Sequence, residues 1–150
     1  IGSGCSPVLF DKLVYNDVAL WHIATPEHVP LFFNELKEPG NIVISGGGSV
    51  GVRAISLMYT MGYRKFSIHG MDCSFADEGA QQWAGKHFGK RQDVVKANVG
   101  GREFFTSLVL LTYATDFLEM VQKVEIDAEL WGDGLLQTMA QVHAQMARAA

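Results

Sequence analysis

The residues best suited to chemistry in this chain stand together: Gly46-Gly47-Gly48-Ser49-Val50-Gly51 spell G-x-G-x-x-G. The run follows an apolar stretch at 41–45 (NIVIS) that reads as a strand. It opens a helical pattern in which Val50, Ala54, Leu57, Met58 and Met61 recur on one face. That placement between strand and helix is what separates it from a chance match. Glycines let the backbone take positive φ and approach a ligand closely, while unpaired amides and the dipole at a helix start attract an anion. Ser49 can cap the helix and offer its hydroxyl to a phosphate. Arg53, two residues past Gly51, can clamp a phosphate bidentately or stand solvated at the surface. The competing structural reading of the whole run is a tight turn with nothing bound.

Asp72 follows the next predicted strand, at 65–69, about 20 residues beyond the last glycine, where a dinucleotide fold places an acid against ribose hydroxyls. The same carboxylate can hold Mg²⁺, act as a base or cap a turn. Residues 70–89 are polar and carry no sustained period, so a long loop is expected there, and such loops are commonly functional. Within it, Lys86 is a candidate phosphate contact, His87 a candidate proton-transfer group and Trp83 a candidate stacking partner for a base. Exposed loop side chains without a ligand are the alternative for all three. His69, Asp72, Cys73 and His87 are zinc-type ligands, but their spacing fits no standard site and His69 is expected to be buried in its strand, so no metal site is assigned. Gly132-Asp133-Gly134 is a second glycine turn before a helix, which could line the same edge of the sheet but reads first as a plain turn.

Short apolar runs alternate with longer amphipathic ones, which predicts βα units in an α/β, three-layer Rossmann-like fold with a mainly parallel sheet. Strands are expected at 17–23, 41–45, 65–69, 94–99 and 125–131, and helices at 8–14, 25–37, 49–61, 105–121 and 135–150. Gly62 is expected to close the helix at 49–61, and Gly100-Gly101 to form a turn. Strand, glycine loop, helix and strand fit within about thirty residues, enough for a right-handed parallel crossover.

The chain has 150 residues, 48% hydrophobic and 19% charged, which suits one domain that needs no disulfide or metal staple. Its 12 basic and 16 acidic side chains leave a net charge of -4, which argues against a nucleic-acid partner but not against a bound nucleotide. The most apolar segment, 104–118, is interrupted by Thr106, Ser107, Thr112, Thr115 and Asp116, so no membrane span is expected. Two cysteines, Cys5 and Cys73, are too few for a disulfide framework, and a reduced, cytoplasmic setting is the expectation. A chain that starts at Ile1 reads as a fragment of a longer protein.

The segment SGGGSVGVRAISLMYTMGYRKFSIHGMDCSF resembles the central part of the MptE-like Rossmann proteins. These include 6-hydroxymethylpterin diphosphokinases and motility-associated glycosyltransferases. The resemblance extends to residues 4–24, to Ala84-Gly85-Lys86-His87 and to Gly132-Asp133-Gly134-Leu135. It implies a nucleotide or nucleotide sugar at the Gly46 to Gly51 loop and Asp72, with transfer of a pyrophosphoryl group or a sugar. Family members carry an earlier Gly-Pro-Ser turn, which is not found here, and often a histidine before the Ala-Gly pair, where this chain has Trp83.

The leading expectation is therefore a nucleotide-dependent transferase domain using ATP or a nucleotide sugar such as a CMP-sugar, with Mg²⁺ as an accessory ion. Asp72 and His87 would be its catalytic residues, with Gly46, Gly47, Gly48, Ser49, Gly51, Arg53, Trp83 and Lys86 holding the nucleotide. An NAD(P)-dependent oxidoreductase fits the glycine motif alone, but no Tyr-x-x-x-Lys pair accompanies it. A non-catalytic binding or assembly module is the third reading.

Overall fold

A computed structural model describes residues 5–19, 21–23, 43–44, 47–76 and 93–149 of the chain. These residues form a mixed α/β structure. In chain order its elements are α1 (Pro7–Asp11), β1 (His22–Ile23), β2 (Val43–Ile44), α2 (Val50–Thr60), β3 (Lys65–His69), β4 (Val95–Val99), β5 (Arg102–Thr106), α3 (Leu108–Lys123), β6 (Asp127–Trp131) and α4 (Leu135–Ala149). The expected helix at 25–37 lies outside the described residues, and of the expected strand at 17–23 the described residues show β1, preceded by a bridge at Trp21.

The strands join in pairs. β1 lies parallel to β2, and β3 lies parallel to β6 over five registered positions from Lys65↔Asp127 to His69↔Trp131. β4 and β5 form an antiparallel hairpin from Val95↔Thr106 to Val99↔Arg102. Gly100 and Gly101, both at positive φ (+58° and +78°), make its two-residue loop, the backbone that matches the twist of paired strands. This corrects the expected helix start at 105. The tight glycine turn sends the chain straight back as β5, whose Phe104 and Thr106 are buried. A helix becomes possible only at Ser107, whose hydroxyl accepts from the Leu110 amide at 3.2 Å.

α2 is bounded as its sequence signals require. Ser49 Oγ accepts from the Val52 amide at 3.1 Å. At the other end Gly62, with φ +100°, donates to the Tyr59 carbonyl, and Tyr63 donates to that of Met58, both at 3.0 Å. Those two bonds are a Schellman cap, which needs a left-handed residue at the glycine. Arg64 completes the cap by lying 4.0 Å over the Tyr59 ring and donating to the Tyr59 and Tyr63 carbonyls.

The core forms where α2 and α3 meet the β3–β6 pair. Val52 and Ile55 from α2, Leu110, Ala114 and Phe117 from α3, and Leu136 from α4 bury together against Phe66, Ile68, Ala128 and Leu130. The alternation in KFSIH and DAELW sends the other side chains, Lys65, Ser67, His69, Asp127, Glu129 and Trp131, to an exposed face. Strands covered on both faces are apolar throughout. These two are covered by helices on one face among the described residues. No helix among those residues is long and apolar enough to cross a membrane.

Candidate functional site

The described part of the glycine loop packs against α3. Gly47 holds φ +41°, and a Cβ built there would stand 2.7 Å from Asp116 Oδ2. One built on Gly48 would stand 2.6 Å from Tyr113 Cε1, and one on Gly51 3.0 Å from Met71 Sδ. Side chains of the protein itself thus make the close approach that glycine permits at all three positions. The Gly48 amide donates to Asp116 Oδ2 at 2.8 Å, so a carboxylate already holds one of the loop's anion-seeking groups. Arg53 Nε donates to the Gly47 carbonyl at 3.1 Å and braces the loop from below.

Further along the loop the amides are differently placed. Val52 is satisfied by Ser49 Oγ, while the amides of Ser49, Val50 and Gly51 have no acceptor among the described residues. These residues line a cavity of about 750 Å³ that continues along β3 to Asp72 and Cys73 and is closed on one side by Leu110 and Tyr113. The structure therefore brings Gly48, Ser49, Gly51 and Asp72 to one cavity. Arg53 does not line it, and Gly46, Trp83, Lys86 and His87 lie outside the described residues.

Asp72 is held by its backbone. Its carbonyl accepts from the Leu136 amide at 3.1 Å, and its side chain fills space that glycines leave open. A Cβ on Gly132 would come to 2.5 Å from Asp72 Oδ1, and one on Gly134 would collide with Asp72 Cβ and its backbone. The carboxylate oxygens have no hydrogen-bond donor among the described residues. The second glycine turn thus packs around Asp72, as a plain turn would. The amides opening α4 are already matched: Gly134 to Gln137 Oε1 at 3.1 Å, Leu135 to Ser74 Oγ at 3.3 Å and Leu136 to Asp72. Arg102 grips Asp133 from the hairpin with bonds of 2.6 and 3.1 Å, and this bond and charge hold the Asp133 carboxyl below its ordinary range.

Cys73 follows Asp72 at φ +54°, a left-handed conformation uncommon outside glycine. Burial first, and then the Asp72 charge, push its thiol up to about 11, which leaves it protonated at neutral pH.

His69 is the main correction. It is exposed, its Nε2 lies 3.0 Å from Ser67 Oγ, and its ring stacks against Trp131 with centroids 5.7 Å apart and planes 8° from parallel. The period of two in Lys65-Phe66-Ser67-Ile68-His69 puts Ser67 and His69 on the polar face, a signal the expectation of a buried histidine overlooked. Tyr113 and Asp116 were also missed. Three apart on α3, they share one helix face, and the local signal for them was an acid, Asp116, between the apolar residues Ala114 and Phe117. Among the described residues no three His, Cys, Asp or Glu side chains gather closely enough to hold a metal ion. Comparison with protein-family models, curated proteins and solved structures finds no match to this chain.

Proposed function

We propose that the chain is a cytoplasmic, nucleotide-dependent transferase domain with a three-layer, Rossmann-like arrangement. Two parallel strand pairs, with α2 running from β2 to β3, are compatible with that arrangement. The observation that carries the function is the cavity that holds the Ser49, Val50 and Gly51 amides together with Asp72. Phosphates sit on the three amides, where the helix dipole favours negative charge. Asp72, without a donor among the described residues, takes a ribose hydroxyl or Mg²⁺. Charge that develops on phosphate oxygens during transfer is then met by dipoles that need no reorganisation. On sequence grounds alone, Lys86 and His87 close over the reacting group and Trp83 stacks on the base.

Thermal unfolding with ATP, CTP or a CMP-sugar, each with and without Mg²⁺, tests this reading. A ligand at ~100 times its Kd stabilises by about 2.7 kcal/mol, and Asp72→Asn should remove most of the Mg²⁺-dependent part. Absence of any shift with every nucleotide overturns the proposal. One observation favours the alternative of a non-catalytic module: Asp116 already places an anionic group on the Gly48 amide. Under that alternative the loop is a packing device and no nucleotide shifts the transition.

A further inference from the structure

The turn that carries Asp72 is held in a costly conformation by groups from two other elements. Gly70 and Cys73, on either side of Asp72, stand at φ +71° and +54°. Glycine takes that left-handed region freely, whereas at Cys73 the Cβ crowds the following carbonyl oxygen. A strained residue persists only where its surroundings over-determine it, and such residues gather at functional sites. Here the surroundings are explicit. The hydroxyl of Thr106, wholly buried on β5, donates to the Cys73 carbonyl at 2.8 Å, the shorter of its two contacts. On either side of that bond, the Leu136 amide donates to the Asp72 carbonyl at 3.1 Å and the Phe75 amide to the Phe105 carbonyl at 2.7 Å. Ser74 Oγ accepts from the Leu135 amide at 3.3 Å and reaches the Asp72 carbonyl at 3.5 Å. All these bonds fix the backbone of the turn. The Asp72 carboxylate accepts from no donor among the described residues, although Asp72 lines the cavity with Ser49, Val50 and Gly51. A main chain held on every side, with the charged oxygens left unengaged, is what a carboxylate that must meet a ligand in one geometry requires.

Resting on the reading that Asp72 contacts the nucleotide or its Mg²⁺, we propose that Thr106 is the positioning residue for Asp72, assisted by Ser74. Thr106, 33 residues from Cys73 in sequence, locks the Cys73 peptide in its left-handed form and so sets the direction in which Asp72 leaves β3. Neither Thr106 nor Ser74 lines the glycine-loop cavity, and both act through the carboxylate. Without the Thr106 hydroxyl the Cys73 carbonyl loses its buried donor, the turn relaxes towards negative φ, and Asp72 no longer meets the bound nucleotide squarely.

A double-mutant cycle on the whole chain tests this, with ATP affinity measured by calorimetry in the presence of Mg²⁺. Thr106→Val keeps the side-chain shape and removes the donor, whereas Thr106→Ser keeps the donor. Thr106→Val should weaken binding by about 10-fold, Ser74→Ala by about 3-fold and Thr106→Ser by less than about 3-fold. Added to Asp72→Asn, Thr106→Val should cost less than about 2-fold more, because the carboxylate it serves is already gone, whereas a residue that only supports the fold gives losses that multiply. Native-like binding by Thr106→Val, an equal loss in Thr106→Ser, or losses that multiply overturn the proposal while the transferase reading stands. A native chain without affinity for ATP removes both. If Thr106→Val fails to fold, Ser74→Ala takes its place in the cycle, and a loss that persists beside Asp72→Asn is the overturning result.

Discussion

Replacing Asp116 by asparagine isolates the contest between an internal carboxylate and a bound phosphate. Asp116 Oδ2 accepts from the Gly48 amide at 2.8 Å, and the next amides along the loop, those of Ser49, Val50 and Gly51, line the cavity. The repulsion can be scaled for a phosphate on those amides at a separation on the order of 6 Å from the carboxylate. Two like unit charges at that separation repel by about 0.7 kcal/mol in water and about 3 kcal/mol at an effective dielectric of 20. Screening at physiological salt trims the upper figure, so relief of about 1–2 kcal/mol is expected. Asp116→Asn should therefore bind ATP about 5–30-fold more tightly than the native chain. Asparagine keeps a carbonyl oxygen for Gly48, so the stability loss should stay near 1 kcal/mol. Titration calorimetry at 0.05 M and 0.5 M salt measures the effect, and the gap between variant and native chain should narrow at high salt. If the native chain binds ATP and a natively folded Asp116→Asn binds equally or more weakly, the anion does not sit at this loop.

Phe117, 2% exposed in the core, should cost about 3–5 kcal/mol when cut to alanine, read as a lower urea midpoint with an unchanged slope. The Arg102–Asp133 pair predicts a pH effect. A carboxyl held below its ordinary value contributes stability above that value and loses it as the pH falls through the lowered one. The native chain's advantage over Asp133→Asn in unfolding midpoint should be present at pH 7 and shrink as the pH drops below 3.8. Thiol titration at pH 8 with an aromatic disulfide should modify exposed Cys5 quickly and leave buried Cys73 unreacted until the chain unfolds.

The sequence was most informative where one local signal dominated. Ser49 and Gly62 bracket α2, and the apolar spacing between them supplies Val52 and Ile55 to the core. Gly100-Gly101 marked the hairpin, but the aromatic residues after it were read as the start of a helix. Phe104 and Phe105 belong to β5 because cross-strand pairing with Ala97 and Lys96 outweighs local apolar content. At the site, the nearness of the glycine loop to Asp72 was legible, since a strand, helix and strand in series bring both to one end of the structure. The occupant of the Gly48 amide was not. Asp116 is 68 residues from Gly48 in sequence, and only the packing of α3 on α2 brings the two together. The exposed His69 was legible in principle from strand alternation, whereas its stack with Trp131 depends on the register of β3 against β6, which no local pattern encodes.

The glycines around Asp72 tie the cavity to the final helix. Gly132 and Gly134 pack closely against one side of that residue, and its carbonyl anchors the Leu136 amide in the first turn of α4. A guest that tugs on Asp72 must therefore pull on α4 as well. Amide exchange at Leu136 and Gln137 would register events inside the cavity from outside it, making the last helix a built-in gauge of occupancy.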